Sequence, residues 1–227
     1  SEGLFVSAIT GVLVDGHIFD MKKDMVEGYY FPNTLFPGAT FKMVIDNDPA
    51  NNGKVTWQCG SSKGNNLVAV SGDGTVTFPD ADERCCDTLF YINATDTSGR
   101  IISSYLFVVK RFFKYSKDTF VTTNKISQWI ESVNGIFPET LDVNSQYIAG
   151  SEWITITREV NGGLFQEWGN MKNSGWVLAN PNYSSCSIFT FNNELNFFNL
   201  LVDSGFTQNA DCGARVQAVA FYGQSRV

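Results

Sequence analysis

Five cysteines, at positions 59, 85, 86, 186 and 212, and one histidine, His17, are the residues whose types and spacing offer the most chemistry in this 227-residue chain. A closed zinc site takes four Cys or His ligands, usually in close pairs, and no Cys-x-x-Cys occurs here. No metal and no cofactor are expected. Three cysteines fall in the first half and two in the second, the pattern of one disulfide in each half of an exported protein with one thiol left over. Cys186 is expected to pair with Cys212, closing a loop that restrains the unfolded chain by roughly 3 kcal/mol. Cys59 is expected to pair with Cys85 or Cys86; neighbours in a strand point to opposite faces, so only one of them can meet it. The competing reading is buried, reduced thiols.

His17 follows Asp15-Gly16 between the apolar runs Val12–Val14 and Ile18–Phe19, which marks a hairpin tip rather than a general base. A Ser-His or Cys-His nucleophile system has this one candidate histidine, and no Gly-x-Ser-x-Gly elbow accompanies it. Phosphate-binding glycine loops and a His-Glu-x-x-His helix are absent too. Asp46 with Asp48, and Asp80 with Asp82 and Glu83, are dense but lack the ligand order and glycine of an EF-hand loop, so they read as solvated loop charge. A hydrolase using two carboxylates distant in sequence ranks last, because no pair has a recognisable setting. The chain is not expected to be an enzyme.

Composition narrows the partners. With 43% hydrophobic and 17% charged residues, 20 Gly and 6 Pro, the chain is an ordered globular one, not a disordered or collagenous one. A formal charge of −7, with both halves acidic, argues against nucleic acid and against an anionic membrane surface. No apolar run approaches the ~20 residues of a membrane-spanning helix, and the densest, Leu195 to Val202, is broken by Asn196 and Asn199. The start, Ser1-Glu2-Gly3, has neither an initiator Met nor a signal core, as expected of a mature form or a piece cut from something longer.

The elements that must position these residues change character midway. Phe41, Met43 and Ile45 alternate with Lys42 and Val44, and Val55, Trp57 and Cys59 with Thr56 and Gln58, each marking a strand with one face in a core. Turn signals at Phe36-Pro37-Gly38, Asn51-Asn52-Gly53, Ser71-Gly72-Asp73-Gly74 and Asp96-Thr97-Ser98-Gly99 separate such strands, the rhythm of an antiparallel sandwich. A strand from Tyr105 to Val109 then runs directly into Lys110-Arg111-Phe112-Phe113 without a linker, so two domains, 1–110 and 111–227, are expected at a fixed angle. Beyond it, Ile126, Trp129, Ile130 and Val133 lie on one helical stripe, capped by Thr122 or Thr123 and stopped near Asn134-Gly135. A short helix is expected around Val143 to Ala149. Strands are expected at Trp153–Thr157, Leu164–Trp168, Ser187–Phe191, Phe197–Val202 and Arg215–Phe221, which makes the second half α+β.

These residues carry a resemblance. Phe41-Lys42, Gly53-Lys54-Val55-Thr56-Trp57, Gly72-Asp73-Gly74-Thr75-Val76-Thr77-Phe78 and Ile92-Asn93-Ala94-Thr95-Asp96-Thr97-Ser98-Gly99 resemble bacterial immunoglobulin-like domains of surface adhesins. The strand Tyr105 to Phe113 is similar to the passage from such a domain into the C-terminal lectin-like domain of the intimin/invasin family, and Arg158 to Gly169 is similar to that domain's central strand turn. The resemblance implies an all-β immunoglobulin-like sandwich followed by an α+β C-type-lectin-like domain, at the tip of an inverse autotransporter anchored in the outer membrane and exposed on the bacterial cell surface. Calcium-dependent sugar lectins use a Glu-Pro-Asn or Gln-Pro-Asp loop and a Trp-Asn-Asp triplet before a strand cysteine. This chain has Asn180-Pro181-Asn182 and Asn182-Tyr183-Ser184-Ser185 before Cys186, so sugar binding through calcium is not expected. The helix has Trp129-Ile130 where lectin-like folds commonly carry a cysteine, and no Arg-Gly-Asp occurs.

A protein-binding surface needs a few large side chains among polar neighbours. The turn-rich stretch 170–185 offers Met171, Lys172, Asn173, Trp176, Asn182 and Tyr183, and Phe198 is assigned as an outward ring beside Phe197. Leu164 and Trp168 are assigned to the core. The expected function is that of a monomeric adhesin tip binding a host protein, whether an integrin-like receptor, a matrix protein or an immunoglobulin, over about 1,600 Å². The alternative is a calcium-independent carbohydrate-binding module that stacks sugars on the same rings.

Overall fold

A computed structural model of the chain describes residues 8–147, 157–179, 187–191, 196–209 and 215–225. Alternation in the first half becomes two sheets. One is ordered β2-β1-β4-β7-β6, from β1 (Ile9–Val14), β2 (His17–Asp20), β4 (Thr40–Ile45), β6 (Ala69–Val70) and β7 (Thr75–Thr77). The other is ordered β5-β8-β9, from β5 (Thr56–Ser61), β8 (Thr88–Thr95) and β9 (Ile101–Val109). Asp15 and Gly16, both at positive φ (47° and 69°), make the tight turn between β1 and β2 that Asp-Gly favours. The rings of Phe41, Phe78, Phe90 and Phe107 join the sheets, with Phe90 and Phe107 stacked at 5.0 Å and Phe41 edge-on to Phe107 at 6.2 Å. Each such ring removed from water contributes about 1.5–3 kcal/mol.

Only Lys110 separates β9 from β10 (Arg111–Phe120), which lies between β14 and β3 in a six-stranded sheet ordered β13-β12-β11-β14-β10-β3. Its strands from the second half are β11 (Ser187–Phe191), β12 (Phe197–Leu201), β13 (Thr207–Asn209) and β14 (Val216–Gly223). β3 (Thr34–Leu35) comes from the first half and pairs in parallel with β10 through Thr34–Arg111 and Leu35–Phe112. Helix α1 (Thr123–Ser132) starts where Thr122 accepts the Lys125 N–H at 3.3 Å and gives way to Asn134 at φ 56°. Ile126 and Ile130 bury its stripe against Val216, Ala218 and Ala220 of β14. A larger cluster of buried apolar side chains runs without a break from Ile9 through Phe31, Phe41 and Phe107 to Phe113, Trp168 and Phe221.

Three expectations change. Leu164–Trp168 is not a strand but a helix, α3, between Gly163 and Gly169 (φ 65°), with all five residues buried. So short an apolar run carries no period that separates a buried strand from a buried helical turn. The short helix expected at 143–149 lies earlier, as α2 (Thr140–Val143), and stops at Asn144. Finally, Cys59, Cys85 and Cys86 are free thiols, so Cys59 forms no disulfide with Cys85 or Cys86. Cys59 in β5 turns its sulfur to the Val68 carbonyl and Cys86 to the Tyr222 carbonyl, both at 3.6 Å, while Cys85 is buried in the core. Burial pushes the Cys85 thiol up to about 11 and the Cys86 thiol up to about 12. Cys186, Cys212 and most of the strand expected at 153–157 lie outside the described residues.

Candidate functional site

The loop expected to meet a partner is placed by how the two halves are joined. Glu167 of α3 is buried and accepts from the Asn33 N–H at 3.0 Å, the Thr34 N–H at 2.8 Å, the Thr34 hydroxyl at 2.6 Å and the Asn33 side-chain amide at 3.2 Å. The Asn161 N–H adds a bond at 3.0 Å. A buried carboxylate is tolerable when donors surround it, and most of these come from the two residues leading into and starting β3. Next to it, the Trp168 indole N–H reaches the Thr34 carbonyl at 3.1 Å, and its ring lies 4.9 Å from Phe31 and 5.2 Å from Phe36. Arg158 donates to the Val14 carbonyl at 2.9 Å and lies 3.8 Å from Asp15, over the Phe19 ring. The backbones touch as well. A Cβ on Gly175 would stand 1.8 Å from the Gly38 carbonyl oxygen, and Gly175 has φ 108°.

From this joint emerges the loop 170–179. Asp15 accepts from the Asn170 N–H at 2.8 Å and from the Asn173 side chain at 3.0 Å, and the Thr40 N–H donates to the Ser174 carbonyl at 3.0 Å. Trp176, at 3% exposure, stacks on Tyr115 at 4.1 Å and donates to Gln217 at 3.0 Å. Met171 is buried too. These two expected contact residues are pegs that hold the loop down. What the loop shows to solvent is Lys172, Asn173 and Val177, the last 65% exposed. Phe198, assigned outward, faces in and packs on Tyr147 at 4.9 Å, while Phe197 is half-buried. The register decides this, because Phe198 opposes Thr190, itself buried, across β11. Asn182 and Tyr183 lie outside the described residues.

A second surface feature escaped the sequence reading. A cleft of ≈ 290 Å³ opens between the start of α1, the segment 136–142 and the strands, walled by Ile136, Phe137, Phe191, Phe197 and Phe221. Glu139, Asp142 and Ser225 supply its polar side. Ile136 is 58% exposed, whereas Asp142 is 1% exposed and accepts from the Ser225 hydroxyl at 2.6 Å. Burial, and then the charge of Asp142, hold the Glu139 carboxyl above its ordinary value. The sequence signal was faint: Phe137-Pro138 after the helix stop reads as a loop, and Phe221 as strand core.

The family described as invasin, domain 4, matches residues 10–107, the span of β1 to β9 apart from its ends. The crystal structure of invasin, a bacterial integrin-binding protein, shares the fold at TM-score 0.70 and 21% identity over 95% of this chain. Residues 10–107 are similar to invasin domain 4, and the chain has the fold of invasin. It also shares its fold with an intimin mutant of EHEC O157:H7, at TM-score 0.56 and 13% identity over 94% of this chain and 96% of the intimin one. A 282-residue C-terminal fragment of intimin, solved in complex with the intimin-binding domain of the translocated intimin receptor, matches at TM-score 0.57 and 13% identity. It is covered over 66% of its length, and this chain over 95%. The chain spans 39% of the invasin structure, so it corresponds to part of that invasin/intimin-type protein.

Proposed function

We propose that the chain is the receptor-binding end of a bacterial surface adhesin, which holds a host protein by non-covalent contact and catalyses nothing. The observation that carries this reading is the fold held in common, over 94–95% of the chain, with an integrin-binding invasin and with intimins, one of them seen with its receptor. On this reading residues 1–110 are an immunoglobulin-like domain, residues 111–227 a C-type-lectin-like domain, and the whole stands outside the bacterium on an outer-membrane-anchored protein. The locked joint fits such a role, because a pre-organised surface loses little freedom when a partner docks. Lys172, Asn173 and Val177 make the loop 170–179 the contact surface, with Met171 and Trp176 as its supports.

The test offers the immobilised chain, separately, an integrin ectodomain, the intimin-binding domain of the translocated intimin receptor, matrix proteins, immunoglobulin and a glycan array with and without chelator. Saturable binding to one host protein is expected, weakened at least ~10-fold by the Lys172→Glu, Val177→Asp double variant, the loss of one or two contact residues. Binding to glycans alone would replace the proposal with the carbohydrate-binding reading, and a variant that binds as well as the parent would remove the loop from the contact.

A further inference from the structure

The loop 170–179 is held by different groups at its two ends. Its far end is fixed to backbone and rings: the Thr40 N–H donates to the Ser174 carbonyl at 3.0 Å, the Val177 N–H to the Tyr115 hydroxyl at 3.2 Å, and Trp176 stacks on Tyr115. Its near end shows Lys172 and Asn173 to solvent, and the hydrogen bonds that residues 170–173 make to the first half, among the described residues, both end on Asp15. One carboxylate oxygen accepts the Asn170 N–H and lies 3.8 Å from Arg158, while the other accepts from the Asn173 side-chain amide. Asn170 relays the hold, since its carbonyl accepts the Asn173 N–H at 3.0 Å and its side chain the Lys172 N–H at 3.1 Å. Gly169, at φ 65°, leaves room for this approach: a Cβ there would stand 2.6 Å from Asp15 Oδ2 and 2.6 Å from Arg158 Nη1.

The β1–β2 turn does not itself call for an acid. Residues 15 and 16 are both at positive φ, where Asn-Gly and Gly-Gly serve as Asp-Gly does, so turn chemistry leaves the carboxylate unexplained. We propose that Asp15 is a positioning residue for the loop: its carboxylate, placed by the turn, sets the arrangement of Lys172 and Asn173, and through them the first half tunes the binding of a partner. The link to affinity rests on the reading that this loop meets a host protein. Hydrogen bonds to an ionised acceptor are about twice as strong as neutral ones. The Asp15 and Arg158 side chains are 20% and 14% exposed, so water competes little for them. Without the carboxylate the far end of the loop stays anchored, while Lys172 and Asn173 sample more arrangements. A partner must then order them as it docks, which lowers its affinity.

The test compares the ¹⁵N-labelled full chain with Asp15→Gly, which removes the side chain, and Asp15→Asn, which keeps its shape and hydrogen bonding without the charge. Both variants suit the turn, so the hairpin should stay paired. Backbone amide shifts and ¹H–¹⁵N NOE values are read without any partner. In Asp15→Gly the NOE should fall and the shifts move at residues 170, 172 and 173, with little change at 38–40 and 174–177; Asp15→Asn should lie between it and the parent. Affinity is then read with whichever of the integrin ectodomain, the intimin-binding domain of the translocated intimin receptor, matrix proteins and immunoglobulin the parent binds. Asp15→Gly should weaken it about 3–10-fold, and Asp15→Asn less. Parent-like signals at 170, 172 and 173 in Asp15→Gly would overturn the proposal. So would changes as large at 38–40 and 174–177, the mark of a joint that loosens as a whole, or parent-like affinity for a protein whose binding the Lys172→Glu, Val177→Asp variant weakens. A parent that binds none of these proteins would sink the adhesin reading alone, because the amide signals still decide whether the carboxylate positions the loop.

Discussion

The single histidine shows how one residue's setting turns into a measurable. His17 stands just after the β1–β2 turn, with its ring 4.7 Å from Phe19. Burial, and after it the positive charge of Arg158, lower its pKa from 6.5, while Asp24 pulls the other way. The folded chain therefore takes up this proton later than the unfolded chain does. Its contribution to stability is lost as pH falls below about 6.5, the unfolded value, and is restored above it. In NMR the imidazole signal, unambiguous because the chain has one His, should titrate with a midpoint below 6.5. Arg158→Gln should move that midpoint up. A midpoint at or above 6.5 in the parent would contradict this account. The cysteines make the opposite point about legibility: their spacing was clear in the sequence, yet for Cys59, Cys85 and Cys86 it said nothing about distance in space.

At the scale of elements, the pairing of α3 with β3 matters most. Both are short, five and two residues, and neither holds its conformation alone. They hold each other through Glu167, whose carboxylate accepts the backbone N–H groups of Asn33 and Thr34. Glu167→Gln keeps the size but turns one acceptor into a donor facing donors, which should cost about 2–5 kcal/mol in urea unfolding. A loss under ~0.5 kcal/mol would mean that the bonds contribute little there. The sequence exposed α1 clearly, since its apolar stripe repeats over two turns and has a cap and a stop. It hid α3 because one turn of helix and a short buried strand are written in the same apolar letters.

For the whole molecule, the unbroken apolar cluster and the shared sheet tie the stability of one half to that of the other. Scanning calorimetry should accordingly show one cooperative transition, and Glu167→Gln should lower its midpoint without splitting it. Two resolved transitions in the parent would show that the joint is an adhesive contact between independent cores. A joint of this kind fixes which way the exposed residues of the loop 170–179 and the cleft face.

Strand rhythm in the first half, the acidic balance, the capped helix and the abrupt passage at Lys110 were set by local chemistry, and the sequence alone carried them: alternation, charge and turn residues act over a few neighbours. Which aromatic side chains reach solvent was decided only by tertiary structure. Trp176 and Met171 looked like anchors for a partner until Tyr115 and Gln217 were seen to cover the indole and the fold was seen to bury the methionine. The cleft of Phe137, Phe191, Phe197 and Phe221 gathers residues from four separate segments. Burial is a property of what lies across the core, and for Trp176 that neighbour is Tyr115, far from it along the chain.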